Sequence, residues 1–530
     1  MDSGVSALVF DFGSRYVKAG WAGESAPSVF MPSAVGYRKS LATQSDPTSG
    51  DVDMHAAEDI AIDGTTDVKP EASTGLVQRP GPLSQQPLTL YEEDMVDREW
   101  KKKSSPWYMG AEKLYRPVPD GDIRHPIQGG VVHDWEALEA LWRHVYDREL
   151  QVDPSSHPVL VAQSLHAPVQ DTRRMARFLF ETLNVPAVYF APSPVLSAFA
   201  SATHTALVLD VGAGHSSATP VVDGVALRRR SIHSTTMCGG LLEDALAVQL
   251  RRRVLQAHGN LPVPADPSHI ILPRFAVRHQ RVSYTGVAGT ADATVPVTDT
   301  DVLSGISPSV LRLCEQYTVS DVMACCLEVS ETALNLPPVP DDRGVAVGVG
   351  PSEYQLPDCT TIHMGVERLA VPEVLFHPAT IHPLSDAPGL GVTDLMMRAV
   401  ARVAQPTPTP AALTHGGETH TSIHGMAHAA LTMCNDQTQR DLLGCVVPVG
   451  GVTNITGFNT RLKAELEGSE ALTYRIKVHT SPMSGIRAHR GNAPMIGGGI
   501  VSSLSAFGNM WVTKAQYQEK GDSIDWTQPL

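Results

Sequence analysis

Cysteine is sparse in this 530-residue chain: seven residues, an odd number. No pair stands in a Cys-x-x-Cys spacing, and the adjacent Cys325-Cys326 suits neither a bridge nor a metal knuckle. A disulfide framework and a structural zinc site are both excluded, and a reducing compartment is expected. Basic residues are also in deficit, with a formal charge of −15. That balance excludes a surface given over to nucleic acid and leaves room only for a local basic patch. Long apolar runs are missing: nothing approaches the roughly 20 residues of a membrane span. Met1-Asp2-Ser3-Gly4 has no basic start of the signal-peptide kind. A soluble intracellular protein is the expectation. Aromatics are scarce at 6%, whereas 40 Pro and 43 Gly are many. With 42% hydrophobic residues, this composition predicts a folded body of two or more domains, or one large bilobed unit, carrying long polar insertions.

Two stretches say nearly the same thing. Ala7-Leu-Val-Phe-Asp11-Phe-Gly13-Ser14-Arg15-Tyr-Val-Lys18-Ala-Gly20 and Thr205-Ala-Leu-Val-Leu-Asp210-Val-Gly212-Ala-Gly214-His-Ser-Ser-Ala-Thr219-Pro220 each read as a buried strand ending in Asp, a glycine turn and a returning strand. At such a turn the backbone N–H groups can hold phosphate oxygens. Asp11 and Asp210 can hold the waters of a divalent cation. One Asp-x-Gly hairpin is commonplace. Two in similar frames, with a third loop at Gly450-Gly451 between an apolar run and a helix-like stretch from Phe458 to Leu466, point to a nucleotide clamp.

Around these motifs, strands and helices alternate, which implies an α/β layer architecture with crossover helices. A helix is expected from an Asp134 N-cap, with Trp135, Leu138, Leu141, Trp142 and Val145 on one face. Pro158–Ala162 and Val188–Phe190 read as strands; Thr172–Leu183, Pro194–Ala202, Leu241–Val254, residues 308–334 and Ile500–Phe507 read as helical. Residues 39–105, 259–308 and 404–420 lose periodicity and read as insertions.

The two hairpins and the Gly-Gly loop, in this order, resemble the phosphate-1, phosphate-2 and adenosine motifs of the actin, Hsp70 and sugar-kinase superfamily. Longer stretches single out the actin family: Phe180-Glu-Thr-Leu-Asn-Val-Pro-Ala187, Tyr354-Gln-Leu-Pro-Asp358 with Gly365 to Phe376, and Met495-Ile-Gly-Gly-Gly-Ile500 through Tyr517. Within that family, His157-Pro158-Val-Leu, the Leu207-to-Gly224 hairpin and the enlarged segment after the first hairpin resemble the nuclear actin-related protein 4 subfamily. The resemblance implies a bilobed α/β fold of two duplicated domains, with four subdomains around a nucleotide cleft. Residues 1–32, 106–200 and 488–530 would form the first subdomain and 33–105 an enlarged second. Residues 201–236 and 386–487 would form the third, and 237–385 the fourth.

Carried over residue by residue, the resemblance assigns ATP to Asp11, Gly13, Ser14, Lys18, Asp210, Gly212, Gly214, Gly450 and Gly451. It places Mg or Ca beside Asp11 and Asp210. Arg15 replaces a frequent glycine, which would make the first turn less open. The groups that orient the attacking water are missing: Ser193 stands for a glutamine, Ala213 for an aspartate and Ser217 for a histidine. Serine is too short to reach the same water, so rapid hydrolysis is not expected. Met323, Ala324 and Gly491 replace two lysines and a glutamate of the adenine pocket.

A partner groove is implied at Phe199, Ile500, Val501, Leu504 and Met510, although apolar residues at that spacing commonly face their own core. Members of the subfamily use it, paired with actin, to dock on the helicase-SANT-associated helix of remodeller ATPases or on acetyltransferase scaffolds, with histones or nucleosomes reached through the complex. A nuclear structural subunit is therefore expected. The alternative is a cytoplasmic actin-type ATPase that polymerises; the insertion at 39–105 should spoil filament contacts. His415, His420, His424 and His428 reflect a chain with 21 His rather than a metal site. Arg228–Arg230 and Arg251–Arg253 read as solvated faces, and Lys101–Lys103 is compatible with an import signal.

Overall fold

The computed structural model describes residues 6–39, 105–118, 120–258, 270–282, 293–298, 303, 305–334, 352–380, 422–468, 474–479 and 487–526. Contacts divide the chain into one unit of Met1–Tyr37 with Trp107–Leu530, and another of Arg38–Pro106. Everything below lies in the first unit. The expected insertions at 39–105 and 404–420 fall almost wholly outside the described residues.

Two mixed sheets form the frame, and they repeat one plan. The first runs Val512–Thr513, Ala187–Pro192, Val159–Gln163, Leu8–Phe12, Tyr16–Trp21, Val29–Pro32. Its centre is the antiparallel hairpin Leu8–Phe12/Tyr16–Trp21, flanked by the parallel strand Val159–Gln163. In the second, the hairpin Ala206–Val211/Ser216–Val222 is flanked by the parallel strand Val446–Val449. Register carries the duplication further. Asp11 lies opposite Lys18 in one hairpin, and Asp210 opposite Ser217 in the other.

Strand side chains alternate between faces, so each sheet feeds two cores. Leu8, Phe10, Val159, Val161, Val188 and Phe190 pack with Leu138, Leu141, Trp142 and Phe180 on one side of the first sheet. Val9, Leu160, Ala162, Tyr189 and Ala191 pack with Leu196, Met495 and Trp511 on the other. The second sheet likewise sends Leu207, Leu209 and Val211 into a large core with Leu241, Leu246, Val322 and Phe458. Ala206, Val208, Val447 and Val449 go to the opposite face with Val195 and Ala198.

Helix Ser193–Ala200 touches both cores and packs against Ala493–Ser502. That contact depends on missing side chains. A Cβ at Gly497 would overlap the Leu196 carbonyl, and one at Gly498 would lie 2.7 Å from Val9 Cγ1. The glycine run therefore allows backbone-on-backbone packing between these two helices.

Expected elements appear with shifted ends. Asp134 caps helix Trp135–His144 by accepting from the Ala137 amide at 3.0 Å. The Thr172–Leu183 segment begins earlier, at Val169 after Pro168, and turns π-helical over Phe178–Thr182. The 308–334 helix stops at Cys326. The Ile500–Phe507 stretch is the end of Ala493–Ser502 plus a separate 3-10 turn at Ser505–Asn509. Within 259–308, strands Val277–Val282 and Ala293–Thr298 pair as a hairpin. Among the described residues no helix is long and apolar enough to cross a membrane.

One of the two arginine runs is recast by the structure. Arg251–Arg253 is not a solvated patch: Arg251 is 5% exposed and forks onto Glu315 at 2.8 and 2.7 Å, while Arg253 reaches Glu367 at 2.6 Å. Arg228–Arg230 forms a 3-10 turn whose Arg228 donates to the Ala167 carbonyl. Of the histidine group, His424 and His428 ride on helix Ile423–Thr432, with His424 3.9 Å from Glu465. No group of three or more metal-ligating side chains occurs there or elsewhere among the described residues.

Candidate nucleotide cleft

Both hairpin turns open into one cleft of about 440 Å³, within the size range of small-ligand sites. Its walls include Asp11, Gly13, Ser14, Lys18, Asp210, Gly212, Gly214, Gly450 and Gly451, so the expected binding residues are brought together. The turns face each other closely: a Cβ on Gly214 would lie 2.7 Å from Ser14 Cβ.

Each turn is fixed by its own lobe. Ser33, buried in the first lobe, donates its hydroxyl to the Gly13 carbonyl at 2.6 Å. In the second, the Gly239 and Gly240 amides that open helix Gly239–His258 donate to the Gly212 and Ala213 carbonyls, each at 2.8 Å. The Gly13 and Gly212 amides close their hairpins on Tyr16 and His215. The next amides do not. Among the described residues, no protein group accepts from the N–H of Ser14, Arg15, Ala213 or Gly214. Two opposed pairs of free amides form a cradle for anionic oxygens.

The third loop is seated by Gly450 at φ +91, where a Cβ would overlap the Val211 carbonyl. Only glycine allows this strand end to ride on the second hairpin beside Asp210. Gly451–Asn454 then turns as a 3-10 helix into Phe458–Glu467.

The charges at the floor are matched to a cation and an anion. Lys18 Nζ donates to Asp11 at 2.9 Å and to the Gly491 carbonyl at 2.5 Å. Asp210 has no such partner: burial pushes its carboxyl up to about 6, the Asp11 charge adds to that, and Lys18 pulls back. A hydrated divalent cation between the two carboxylates would relieve this cost. Ser14 Oγ, His215 Nδ1 and Asn454 Oδ1 line the same cleft, buried and without a hydrogen-bond partner. Orphaned polar atoms of this kind fit a polar ligand.

The residues that the resemblance set in place of water-orienting groups lie at this cleft. Ser193 and Ser217 line the cleft, and Ser193 Oγ is turned onto the Gln163 carbonyl at 3.0 Å. Ala213 offers no polar side chain. Met323 and Gly491 also line the cleft; Ala324 is not among its walls.

Sequence reasoning missed an imidazole cluster at this end of the site. His166, His233 and His215 lie in series as tilted ring pairs, with centroids 4.6 and 5.1 Å apart. Burial first, then mutual repulsion, holds His166 down to about 3; burial holds His215 and His233 to about 4. They are neutral near pH 7. Their separation along the chain left no local signal.

The sequence model of the family described as Actin matches residues 2–526. This chain belongs to the actin family. Among its similar curated relatives, the Actin-related protein 4 of Arabidopsis thaliana is 26% identical over 98% of this chain and 97% of the relative. The Actin-related protein 4 of Mycosarcoma maydis is 28% identical, again over 98% and 97%. The SWI/SNF and RSC complexes subunit arp42 of Schizosaccharomyces pombe is 24% identical over 98% and 96%. The facing hairpins are thus the duplicated halves of an actin-family body.

The expected partner groove divides by exposure. Ile500 and Leu504 are open to solvent, at 41% and 50%. Phe199 and Met510 are partly buried and lean on the core under helix Ala493–Ser502. Val501 is 2% exposed and belongs to that core, because it points inward from the helix.

Proposed function

We propose that this chain is a nuclear, actin-related structural subunit of chromatin-remodelling or histone acetyltransferase assemblies. It binds ATP with a divalent cation and does not turn it over rapidly. The observation that carries the reading is the pair of opposed turns with free amides, closed over by a site without long water-orienting side chains at Ser193, Ala213 and Ser217. Phosphoryl transfer depends on such positioning, and the groups act together, so losing several removes most of the rate. The relatives named Actin-related protein 4 and SWI/SNF and RSC complexes subunit support the assembly reading.

In this reading ATP acts as a structural ligand. Phosphates rest on the amides of Ser14, Arg15, Ala213 and Gly214, Lys18 supplies a charge-assisted hydrogen bond, and Gly450-Gly451 approaches the adenosine. Bound nucleotide stabilises the fold by linkage. Ile500, on the last turn of helix Ala493–Ser502, and Leu504, just beyond its end, offer apolar anchors to an amphipathic helix of a remodeller ATPase or acetyltransferase scaffold, with actin as the neighbouring subunit.

The test is a purified chain incubated with γ-labelled ATP and magnesium, followed for phosphate release and for sedimentation. Retained, unhydrolysed ATP on a non-sedimenting protein is expected. Turnover at actin-like rates or sedimenting filaments would establish the polymerising ATPase instead.

A further inference from the structure

The cleft mouth is bridged by the protein's own side chains. Arg15, on the first phosphate turn, sends its guanidinium across to the second lobe, where it ion-pairs with Glu243 on helix Gly239–His258. The same group donates to Gln316 Oε1 at 3.1 Å and Ser320 Oγ at 2.8 Å, both on helix Pro308–Cys326. Ser320 in turn donates to Glu243 at 3.1 Å, which closes the network. The pair is largely shielded, with side chains 19% and 9% exposed.

Two further contacts lie along the same helix. Tyr115 packs on Tyr317 with ring centroids 4.5 Å apart. At the helix start, Ser309 Oγ donates to Asp122 at 2.5 Å and accepts from the Ile123 amide at 3.0 Å. Cys314, on the same helix, is 6% exposed and near enough to Tyr115 to act on its hydroxyl, and burial pushes its own thiol up to about 12.

We infer that Arg15 is the pin of a clasp that holds the lobes together across the cleft mouth without any nucleotide, and that a polyphosphate ligand enters when the guanidinium leaves Glu243. The physical ground is position. Arg15 belongs to the turn whose amides face the phosphate cradle, so phosphate oxygens and the Glu243 carboxylate compete for one cation. Removing either partner strands the other in a shielded site, which favours the open arrangement. The entry step rests on the proposed nucleotide site; the closure does not.

Cys314 reports closure directly, because a thiol shielded by the seam reacts with a maleimide only when the seam parts. The experiment compares alkylation rates at Cys314 in the nucleotide-free full chain, read by mass spectrometry, with core Cys434 as the indicator of global unfolding. R15A and E243Q should each raise the Cys314 rate on the order of tenfold, the effect of about 1.4 kcal/mol on the opening equilibrium, with Cys434 unchanged. The exchanged pair R15E/E243R should restore slow labelling. A parallel chase of a fluorescent ATP analogue should show faster release from R15A. Unchanged Cys314 labelling in both single variants, or no recovery in the exchanged pair, overturns the clasp. If no analogue binds, the nucleotide reading fails while the thiol comparison still decides the clasp.

Discussion

Replacing Asp210 by Asn separates what the cleft costs the fold from what it gains on binding. The folded protein raises this carboxyl from 3.8 to about 6, through burial and the facing Asp11 charge. The sign follows from linkage. Between those values the folded state holds a proton that the unfolded chain has released, so stability falls as pH rises through 6 and stays lower above it. The rise from 3.8 to about 6 corresponds to roughly 3 kcal/mol. Since the carboxylate opens onto the water of the cleft, about 1–3 kcal/mol is the expected penalty at neutral pH. Asn has the same shape and no charge. D210N should therefore raise the ligand-free urea midpoint, with a gain of about 1–3 kcal/mol at pH 7.5 that vanishes near pH 4. Saturating ATP and magnesium should add about 2.7 kcal/mol to the wild type at one hundred times Kd, and little to D210N. Equilibrium urea denaturation with and without Mg-ATP reads both terms. A ligand-free D210N less stable than wild type, or full Mg-ATP stabilisation of the variant, would refute the reasoning.

The imidazole cluster sets an acid limit. Because His166, His215 and His233 are held to about 3, 4 and 4, the unfolded chain binds more protons below pH 6.5, and stability should fall as pH drops from there toward 4. Each contributes up to about 1.4 kcal/mol per pH unit; H233N should flatten the slope in thermal melts across that range. Glu373 and Arg461 are each 1% exposed and form a forked pair; because Arg461 keeps Glu465 at 2.6 Å, E373Q should cost about 1–3 kcal/mol by denaturant unfolding. Leu504 is half-exposed, so L504D should leave the melting temperature within about a degree. It should nonetheless abolish recovery of a remodeller ATPase or acetyltransferase scaffold from nuclear extract. G450A should cost at least about 1 kcal/mol in denaturant unfolding, since alanine is strained at φ +91 and meets the Val211 carbonyl.

The hairpins were legible because their determinants are local: an apolar run, an Asp and a glycine turn, each within a few residues. Their meeting in one cleft was legible only through the repetition and the third loop. What lay hidden was pairing over long separations. Arg15 read as an obstruction in its turn, yet it reaches Glu243 and Gln316 across the cleft. Arg251 read as surface charge, yet it is buried against Glu315. The three histidines converge from separate segments. Val501 shared an apolar spacing with Ile500 and Leu504, and that spacing alone does not say which side of the helix meets solvent. One helix end moved to a proline, with Val169–Arg177 starting directly after Pro168.

The most direct measurement is a structure of the full chain determined with ATP and magnesium. The account predicts intact triphosphate between the Ser14–Arg15 and Ala213–Gly214 amides, with the cation's waters shared by Asp11 and Asp210. Nucleotide bound elsewhere, or turns that leave the ligand uncontacted at saturating ATP, would contradict it.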